Sequence, residues 1–454
     1  MKKMLSLALA LLMVLSLAAC GGSGGNAPSS SGGSATGSGG AGADGDKPYA
    51  GTTISVVVCT SAFMDQLISD IPEFEEATGI NVQIEQLQDA QVSQRVSVTC
   101  AGQSGDIDVF GYRPLQDSTL YINNGWLEDL SSYIEEAGDE FDYEDFFQAS
   151  RDATSDADGT PYGIPYMTER EVVYLNMDLL EAAGYTEGPK TMDELLEMCE
   201  VLNDPENGVY ALALRGEGNA AVTQFSGFLY AFGGDFFDEE TKTALINTPE
   251  FMEAVKFYAD LIQNYCPPGS INYTWTETSN LFCQGNVAMR IDCDSQYAYA
   301  TDPDNSLIAD NVGYSMFPAT DEFGSTPFNI TAWALGINPY SANKGAAWEF
   351  IQWATGKEQD VTGMIAGNSS ARTSTWENEE ATGAYPDELL DVIIETNANE
   401  DARSYDRPVM VEGAEARASI GELLTMAMEG ASDEDLQAKA EEVNASVQAL
   451  LDAE

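Results

Sequence analysis

The order of apolar and polar residues at the start of the folded chain predicts alternating strands and helices. A continuous β-branched run at 54–58 is typical of a strand buried on both faces. Phe63, Leu67 and Phe74 then repeat on one side of a helix that ends at Gly79. The alternation continues with a strand at 82–84, a helix over 92–100 and a strand at 107–110 that ends in Gly111. This order predicts a parallel α/β sheet.

A second α/β unit is predicted after the segment 162–166. Thr191 and Glu194 have the spacing of a capping box, so we expect a helix to begin there and to run through Leu202. Thr248 followed by Pro249 is typical of another helix start. Further predicted elements are strands at 172–175, 287–291 and 332–337 and helices over 347–354 and 436–451.

Composition narrows the possible functions. The chain has 454 residues, which favours two or three domains, and 44% of them are hydrophobic, so it can form cores. Asp and Glu outnumber Lys and Arg by 75 to 19, giving a formal net charge of −56. Such a chain repels nucleic acids and anionic membrane surfaces. The absence of histidine from the sequence excludes the usual zinc sites and the Ser-His-Asp and Cys-His nucleophile systems.

The N-terminus has the pattern of an export signal. Lys2 and Lys3 precede an apolar run over 4–19, which is short for a membrane span and typical of a signal peptide. Small residues before Cys20 and a glycine after it resemble a bacterial lipobox, which implies cleavage before Cys20 and lipidation of that residue. We therefore predict a signal peptide at 1–19 and a lipid-anchored Gly/Ser tether at 20–52. An ordinary signal peptide is the alternative.

Six cysteines remain after Cys20 is set aside. An exported protein can form disulfides, but six cysteines in so long a chain do not make a disulfide scaffold, so buried free thiols are an equal alternative. Cys283 and Cys293 are the closest candidates for a bridge. No metal-binding CxxC spacing occurs, and Asp152, Asp156 and Asp158 fail the EF-hand spacing, so we predict no metal site.

Several segments, taken in order, resemble the extracellular solute-binding proteins of carbohydrate ABC importers, the class that includes maltose-binding protein. They are FEEATGI at 74–80, GDIDV at 105–109, DGTPYGIPY at 158–166, YLNMDLL at 174–180, PKTMDEL at 189–195, FCQGNVAM at 282–289, AAWEFI at 346–351 and GNSSAR at 367–372. The resemblance covers nearly everything after the tether.

The resemblance implies a two-lobed α/β fold of the type II periplasmic-binding-protein class, with a ligand cleft between lobes joined by hinge crossings. The N-terminal lobe would comprise 53–162 and 330–365, and the C-terminal lobe 163–329 and 366–454. The implied function is capture of a monosaccharide, oligosaccharide or polyol at the extracellular face of the membrane and delivery to the permease of an ABC transporter. We expect a monomer without enzyme activity or cofactor, and no nucleic-acid partner.

Candidate ligand-binding residues are aromatic, charged or amide side chains at predicted strand ends and crossings, because sugars offer C–H faces to rings and hydroxyls to polar groups. They are Ser61, Tyr112, Arg113, Tyr166, Glu169, Gln224, Trp275, Asp292, Asp294, Trp333 and Arg372. Structural roles are the alternative for several of them. Tyr166 and Trp333 could fill the hinge or the interlobe core, Trp275 could be a core residue, and Asp292 and Asp294 could form a solvated turn.

Two other functions are compatible with the residues. A secreted glycoside hydrolase needs only two carboxylates about 5–10 Å apart, and Glu169 with Asp292 or Asp294 is a possible pair. A surface adhesion lipoprotein would explain an anchor and a tether, but it predicts no cleft for a small molecule.

Overall fold

The computed structural model of the protein describes residues Lys47–Ala453. The predicted signal peptide (1–19), the lipidated Cys20 and the tether up to residue 46 lie outside the described residues. No helix within Lys47–Ala453 is both long enough and apolar enough to cross a bilayer.

The described chain forms ten strands and eighteen α-helices. The strands are β1 Thr53–Cys59, β2 Asn81–Leu87, β3 Val109–Tyr112, β4 Ile164–Asn176, β5 Tyr210–Ala213, β6 Phe237–Asp238, β7 Thr243–Ala244, β8 Val287–Cys293, β9 Val312–Met316 and β10 Asn329–Ile337. The helices are α1 Ala62–Thr78, α2 Asp89–Ala101, α3 Pro114–Asn123, α4 Ser131–Phe141, α5 Gln148–Ala153, α6 Met177–Ala183, α7 Met192–Leu202, α8 Gly218–Ala231, α9 Pro249–Tyr265, α10 Trp275–Cys283, α11 Tyr297–Thr301, α12 Lys344–Ala354, α13 Lys357–Ile365, α14 Thr373–Trp376, α15 Glu379–Thr382, α16 Asp387–Ala398, α17 Gly413–Met428 and α18 Asp433–Leu451.

One mixed sheet runs in the order β2-β1-β3-β10-β4-β8-β5, with β9 also paired to β4. The pairs β1·β2, β1·β3 and β5·β8 are parallel, as the strand–helix alternation predicts, whereas β10 is antiparallel to both β3 and β4. The first half of β4 pairs with β10 and its second half pairs with β8 and β9. This strand therefore connects the two parts of the sheet.

Apolar side chains form separate cores around the two parts of the sheet. One core draws on residues between Ile54 and Met167 and between Ala332 and Ala371. Residues further along β4 alternate between two other cores, because successive side chains of a strand point to opposite faces. Val173 and Leu175 enter a core with α8, α9 and α17, and Val172 and Tyr174 enter a smaller core with α16. The lobe boundaries stated above remain a prediction.

Most predicted elements are present, and the differences have local causes. Thr191 caps α7 by accepting a hydrogen bond from the Glu194 amide, but the Glu194 carboxylate accepts from the Lys190 amide, so the capping box is only half formed. The strand predicted at 172–175 begins already at Ile164, because β10 pairs with the preceding segment despite its proline. The last helix starts at Asp433, capped by Ser432, three residues earlier than predicted.

The six cysteines of the described chain are buried free thiols. The bridge considered between Cys283 and Cys293 is therefore absent. Burial raises the pKa of the Cys293 thiol well above its ordinary value, which keeps that side chain protonated and unreactive.

Candidate functional site

A cavity opens where the carboxyl ends of β1, β3, β5 and β8 meet β4 and β10. These two strands pair with each other in the middle of the sheet, and we call them the crossing strands. The empty space of the cavity, including the opening to solvent, is about 910 Å³. Ligands of α/β sheets commonly bind beyond the carboxyl ends of strands. The wall consists of Cys59, Thr60, Ser61, Ala62, Phe63, Asp89, Arg113, Leu115, Met167, Glu169, Arg215, Thr223, Trp275, Ser295, Gln296, Tyr299, Ile330, Thr331, Ala332, Trp333, Gly367, Arg407 and Arg417.

Trp333 reaches the cavity because β10 is irregular at this point. Its register against β4 shifts on both sides of Trp333, as at a β-bulge, which redirects a side chain relative to the regular alternation. The guanidinium carbon of Arg113 lies 6.0 Å from the centroid of the indole ring, and the side chain of Trp333 is buried. A large aromatic face is thus held in place beside a cation.

A second aromatic pair lines the wall. Trp275 begins α10 after a complete capping box formed by Thr274 and Glu277. Its ring lies 6.1 Å from that of Tyr299, tilted by 38°. The capping box fixes the start of α10, and the two rings give a second apolar surface suited to the C–H face of a sugar.

Glu169 is the carboxylate that β4 presents to the cavity. The Ser295 hydroxyl donates to its Oε1 at 2.6 Å. Burial raises the pKa of Glu169 to about 7, and the Ser295 hydrogen bond and the nearby Arg215 oppose that rise only in part. Near neutral pH this side chain can therefore either donate or accept a hydrogen bond.

Arg215 projects from the end of β5 and is held by a buried network. Its Nε donates to Asp292 Oδ2 at 3.2 Å, and a second, very short bond joins Nη2 to Oδ1. Arg290 donates to the same carboxylate at 2.8 Å, and Gln296 donates to it at 3.0 Å. Burial alone would raise the pKa of Asp292, but attraction to Arg215 and Arg290 lowers it below its ordinary value. The aspartate is therefore ionised and fixes the direction of Arg215.

Comparison with known proteins identifies the family to which this architecture belongs. The family model described as "Bacterial extracellular solute-binding protein" matches residues 60–361. The erythritol/L-threitol-binding protein of Mycolicibacterium smegmatis is 29% identical over 328 residues, which are 68% of either chain. The mannitol-binding protein of Pseudomonas aeruginosa is 30% identical over 275 residues, 59% of this chain and 61% of that one.

The chain belongs to the bacterial extracellular solute-binding protein family.

The fold of this solute-binding protein is the expected two-lobed one. It superimposes on an ABC transporter solute-binding protein from Agrobacterium radiobacter, crystallised with ribitol, with a TM-score of 0.80 and 24% identity, over 89% of this chain and 100% of that one. It also resembles the maltose-bound MalE3 of T. maritima, with a TM-score of 0.78 and 22% identity, over 88% and 100% of the two chains.

Five of the residues predicted from the sequence line the cavity of this solute-binding protein. They are Ser61, Arg113, Glu169, Trp275 and Trp333. Ser61 also caps α1 by accepting a hydrogen bond from the Met64 amide at 3.2 Å.

Two predicted residues lie directly behind the wall instead. Asp292 is fully buried in the network that holds Arg215. Gln224 accepts hydrogen bonds from the Arg215 amide at 2.6 Å and from the Tyr258 hydroxyl at 3.1 Å. The solvated turn considered for Asp292 is excluded by its burial. Both residues support the wall and do not form it.

Four predicted residues lie away from the cavity. Tyr112 and Tyr166 are core residues, and Tyr166 stacks on Phe63 with ring centroids 5.3 Å apart. Asp294 is buried against Arg170, accepting from its amide at 2.8 Å and from its Nη1 at 3.2 Å.

Arg372, the fourth of these, is fully buried at the start of α14. Its Nη1 lies 3.1 Å from Asp145, its Nε donates to the Thr355 carbonyl at 2.9 Å, and its guanidinium carbon lies 3.8 Å from the centre of the Phe146 ring. These contacts use its donors within the protein, and Arg372 is not among the residues that line the cavity.

Three arginines of the wall were not predicted from the sequence. Arg215, Arg407 and Arg417 line the cavity together with Arg113. A signal was available, since the chain has only 19 Lys and Arg, and the few arginines of so acidic a chain are candidates for internal ion pairs. Neither periodicity nor motif showed which of them meet.

The two alternative functions receive no support from this geometry. The carboxylate pairs suggested for a hydrolase are not formed at the cavity, because Asp292 and Asp294 are buried against arginines and Glu169 is the one of these three carboxylates that lines the wall. An adhesion protein predicts no small-molecule cleft, whereas the described chain has one.

Proposed function

We propose that this protein captures a sugar or polyol in the cavity at the β4–β10 crossing and delivers it, chemically unchanged, to the permease of an ABC transporter. The observation that carries this proposal is the composition of the wall: two tryptophan faces, Trp275 and Trp333, stand among charged donors and acceptors. Relatives whose names specify erythritol, L-threitol and mannitol support the substrate class.

The wall residues have complementary roles in this proposal. The indole rings bind C–H faces, Arg113 and Arg215 donate to ligand hydroxyls, and Asp89 and Glu169 accept from them. Each hydroxyl must be paired, because a buried unpaired polar group costs about 1–3 kcal/mol. Such a site discriminates by pairing and needs no bond chemistry.

Ligand binding would be coupled to closure of the two predicted lobes about the crossing strands. Wall residues come from both sides of the crossing, Ser61 and Arg113 from one side and Trp275 and Arg417 from the other. A ligand that touches both sides favours the closed state by its additional contacts. The closed form would then dock on the permease.

We also propose that the protein is anchored through Cys20 at the outer face of the cell membrane. Membrane fractionation and mass spectrometry of the exported protein test it: the wild type should sediment with membranes and carry acyl chains, and Cys20→Ala should be released. Equal release of both proteins would refute the anchor without affecting the binding site.

Calorimetry against a panel of sugars, polyols and sugar acids tests the binding function, with Trp333→Ala as the variant. Loss of a buried aromatic anchor should cost about 2 kcal/mol, roughly a 30-fold loss of affinity. Tyr49→Ala is the control, since Tyr49 is exposed and lies outside the cavity. The proposal fails if no member of the panel binds, or if Trp333→Ala binds like the control.

A further inference from the structure

The cavity wall carries an unusual excess of positive charge for so acidic a chain. Four arginines line it, and Arg215, Arg407 and Arg417 expose 8%, 7% and 7% of their surface. Buried charges are expensive unless they are paired and hydrogen-bonded, so their partners decide what the cavity can accept.

Ion pairs account for three of the four wall arginines. Asp117 lies 3.9 Å from Arg113, Asp292 is shared by Arg215 and Arg290, and Asp406 binds Arg407. Arg417, the fourth wall arginine, forms no ion pair with a carboxylate within Lys47–Ala453.

Arg417 and Arg407 converge on the same two neutral oxygens. Gln116 Oε1 accepts from Nη1 of Arg407 at 3.3 Å and from Nη1 of Arg417 at 3.0 Å. Thr223 Oγ1 accepts from Nη2 of Arg407 at 3.3 Å and from Nη2 of Arg417 at 2.6 Å. Nε of Arg417 is buried without a hydrogen-bond partner. Two cations thus share two uncharged acceptors beside the cavity.

The electrostatics agree with a missing anion. Burial lowers the pKa of Arg417 well below its ordinary value, and repulsion from Arg407, Arg113 and Arg215 adds to that effect, whereas attraction to Asp406 opposes it only in part. Asp406 is ionised and already paired with Arg407. Burial raises its pKa, but attraction to Arg407 and Arg417 brings the pKa down to about 2. An anion in the cavity would relieve the repulsion among the guanidinium groups.

We propose that the carboxylate of a sugar acid completes this site by binding to the guanidinium groups of Arg417 and its neighbours on the cavity wall. Within the substrate class proposed above, the ligand would then be an acid derivative of a sugar or polyol, such as an aldonic or uronic acid. A carboxylate offers two coplanar oxygens that match the fork of a guanidinium group. This inference rests on the proposed function, since it assumes that the cavity holds the transported solute.

The acidic groups of the wall are compatible with an anionic ligand. Glu169 accepts from Ser295 and has its pKa raised to about 7, so it is partly neutral at physiological pH. Asp89 accepts a hydrogen bond from the Cys59 thiol at 2.8 Å and is the remaining carboxylate of the wall. Asp89 and Glu169 can accept hydrogen bonds from the hydroxyls of the same ligand, while its carboxylate binds at Arg417.

The net charge of −56 does not oppose this binding at physiological salt. Exposed charges are screened beyond about 8 Å at that ionic strength, whereas buried groups are screened much less. The anion would therefore respond mainly to the cavity wall once it has entered.

Calorimetry with matched pairs of acid and neutral compound tests the inference. Glucuronate with glucose, galacturonate with galactose and ribonate with ribitol differ mainly in one carboxylate. We expect at least one acid to bind about 100-fold more tightly than its neutral partner. Neutral compounds binding as well as the acids would overturn the inference and leave the proposed function standing. Binding of neither class would defeat both, and tighter binding of a sugar phosphate would overturn the carboxylate assignment.

Arg417→Gln separates this site from general damage to the cavity. The substitution removes the charge and leaves a polar amide, so affinity for the acid should fall about 10- to 100-fold while that for the neutral partner changes less than about threefold. Arg417→Lys, which keeps the charge but not the fork, should give an intermediate loss for the acid.

Arg95→Gln is the matched control, because Arg95 is exposed, pairs with Glu85 at 3.8 Å and lies outside the cavity. Circular dichroism verifies that each variant folds, and the matched pairs on the wild type remain decisive if Arg417→Gln does not fold. An equal loss for acid and neutral compound would contradict the assignment.

Discussion

Replacing Asp292 with asparagine is expected to destabilise the protein strongly, although Asp292 lies behind the cavity. Its fully buried carboxylate binds Arg215 and Arg290, and it also accepts from the side chains of Gln296 at 3.0 Å and Thr278 at 3.3 Å. Asparagine fits the space, but it removes the carboxylate charge that forms an ion pair with both guanidinium groups.

The magnitude follows from the cost of an unpaired buried charge. Breaking a buried ion pair by removal of one partner costs about 3–5 kcal/mol. We therefore expect the free energy of unfolding to fall by about 3–5 kcal/mol at pH 7, a large part of the roughly 5–15 kcal/mol of a typical domain. Arg215 should also lose its fixed direction, so ligand affinity should fall by at least about tenfold.

Urea unfolding followed by tryptophan fluorescence measures the change. Asp106→Asn is the matched control, since Asp106 is exposed in a loop and its substitution should alter the unfolding free energy by less than about 0.5 kcal/mol. A loss below about 1 kcal/mol for Asp292→Asn would refute the reasoning, because the guanidinium groups would then have found other compensation.

The pH dependence gives a second check on Asp292. Its pKa is lowered in the folded state by Arg215 and Arg290 against the effect of burial. The stabilisation is therefore present above the unfolded pKa of about 3.9 and is lost as pH falls below it. The difference between wild type and variant should be constant from pH 7 to 5 and should shrink toward pH 3; a difference that stays constant would contradict the assigned cause.

Three further predictions concern other parts of the chain. Burial raises the pKa of Glu169 to about 7. The unfolding free energy of the wild type, relative to that of Glu169→Gln, should therefore decrease as pH rises from about 4.5 to 7. A difference between the two proteins that does not change with pH in urea unfolding would contradict this. Because the cysteines are free and buried, dithiothreitol should leave the melting temperature unchanged, and a drop in melting temperature would indicate a bridge. Thiol titration should find Cys283 and Cys293 reactive only after unfolding. Thr191→Ala removes the cap of α7 and should cost about 1 kcal/mol in urea unfolding, whereas the exposed Thr241→Ala serves as a control outside any helix.

Local patterns in the sequence predicted elements well where short-range forces decide them. The β-branched run became β1, and the stripe from Phe63 to Phe74 became α1, because period and capping act within a few residues. The ordered set of segments also indicated the family and its two-lobed fold before any contact was known. The length of β4 was underestimated because its first half is stabilised by pairing with β10, more than 150 residues away in the chain.

Site residues were harder to predict, because the same residue types serve the cavity wall and its supports. Trp333 was found at a crossing strand, but Arg372 was assigned to the ligand although its donors bind Asp145 and the Thr355 carbonyl. Neighbouring charges along the chain gave no indication of these long-range partners.

The sequence by itself determined the fold class, most of the elements and the exclusion of histidine chemistry, since composition, periodicity and caps are properties of short segments or of the whole chain. Only the tertiary structure decided which charges meet. Gln116 and Arg417 are 301 positions apart in the chain, yet Nη1 of Arg417 lies 3.0 Å from Oε1 of Gln116 beside the cavity. The physical reason is that Coulomb and hydrogen-bond energies depend on distance in space and on burial, and folding creates both.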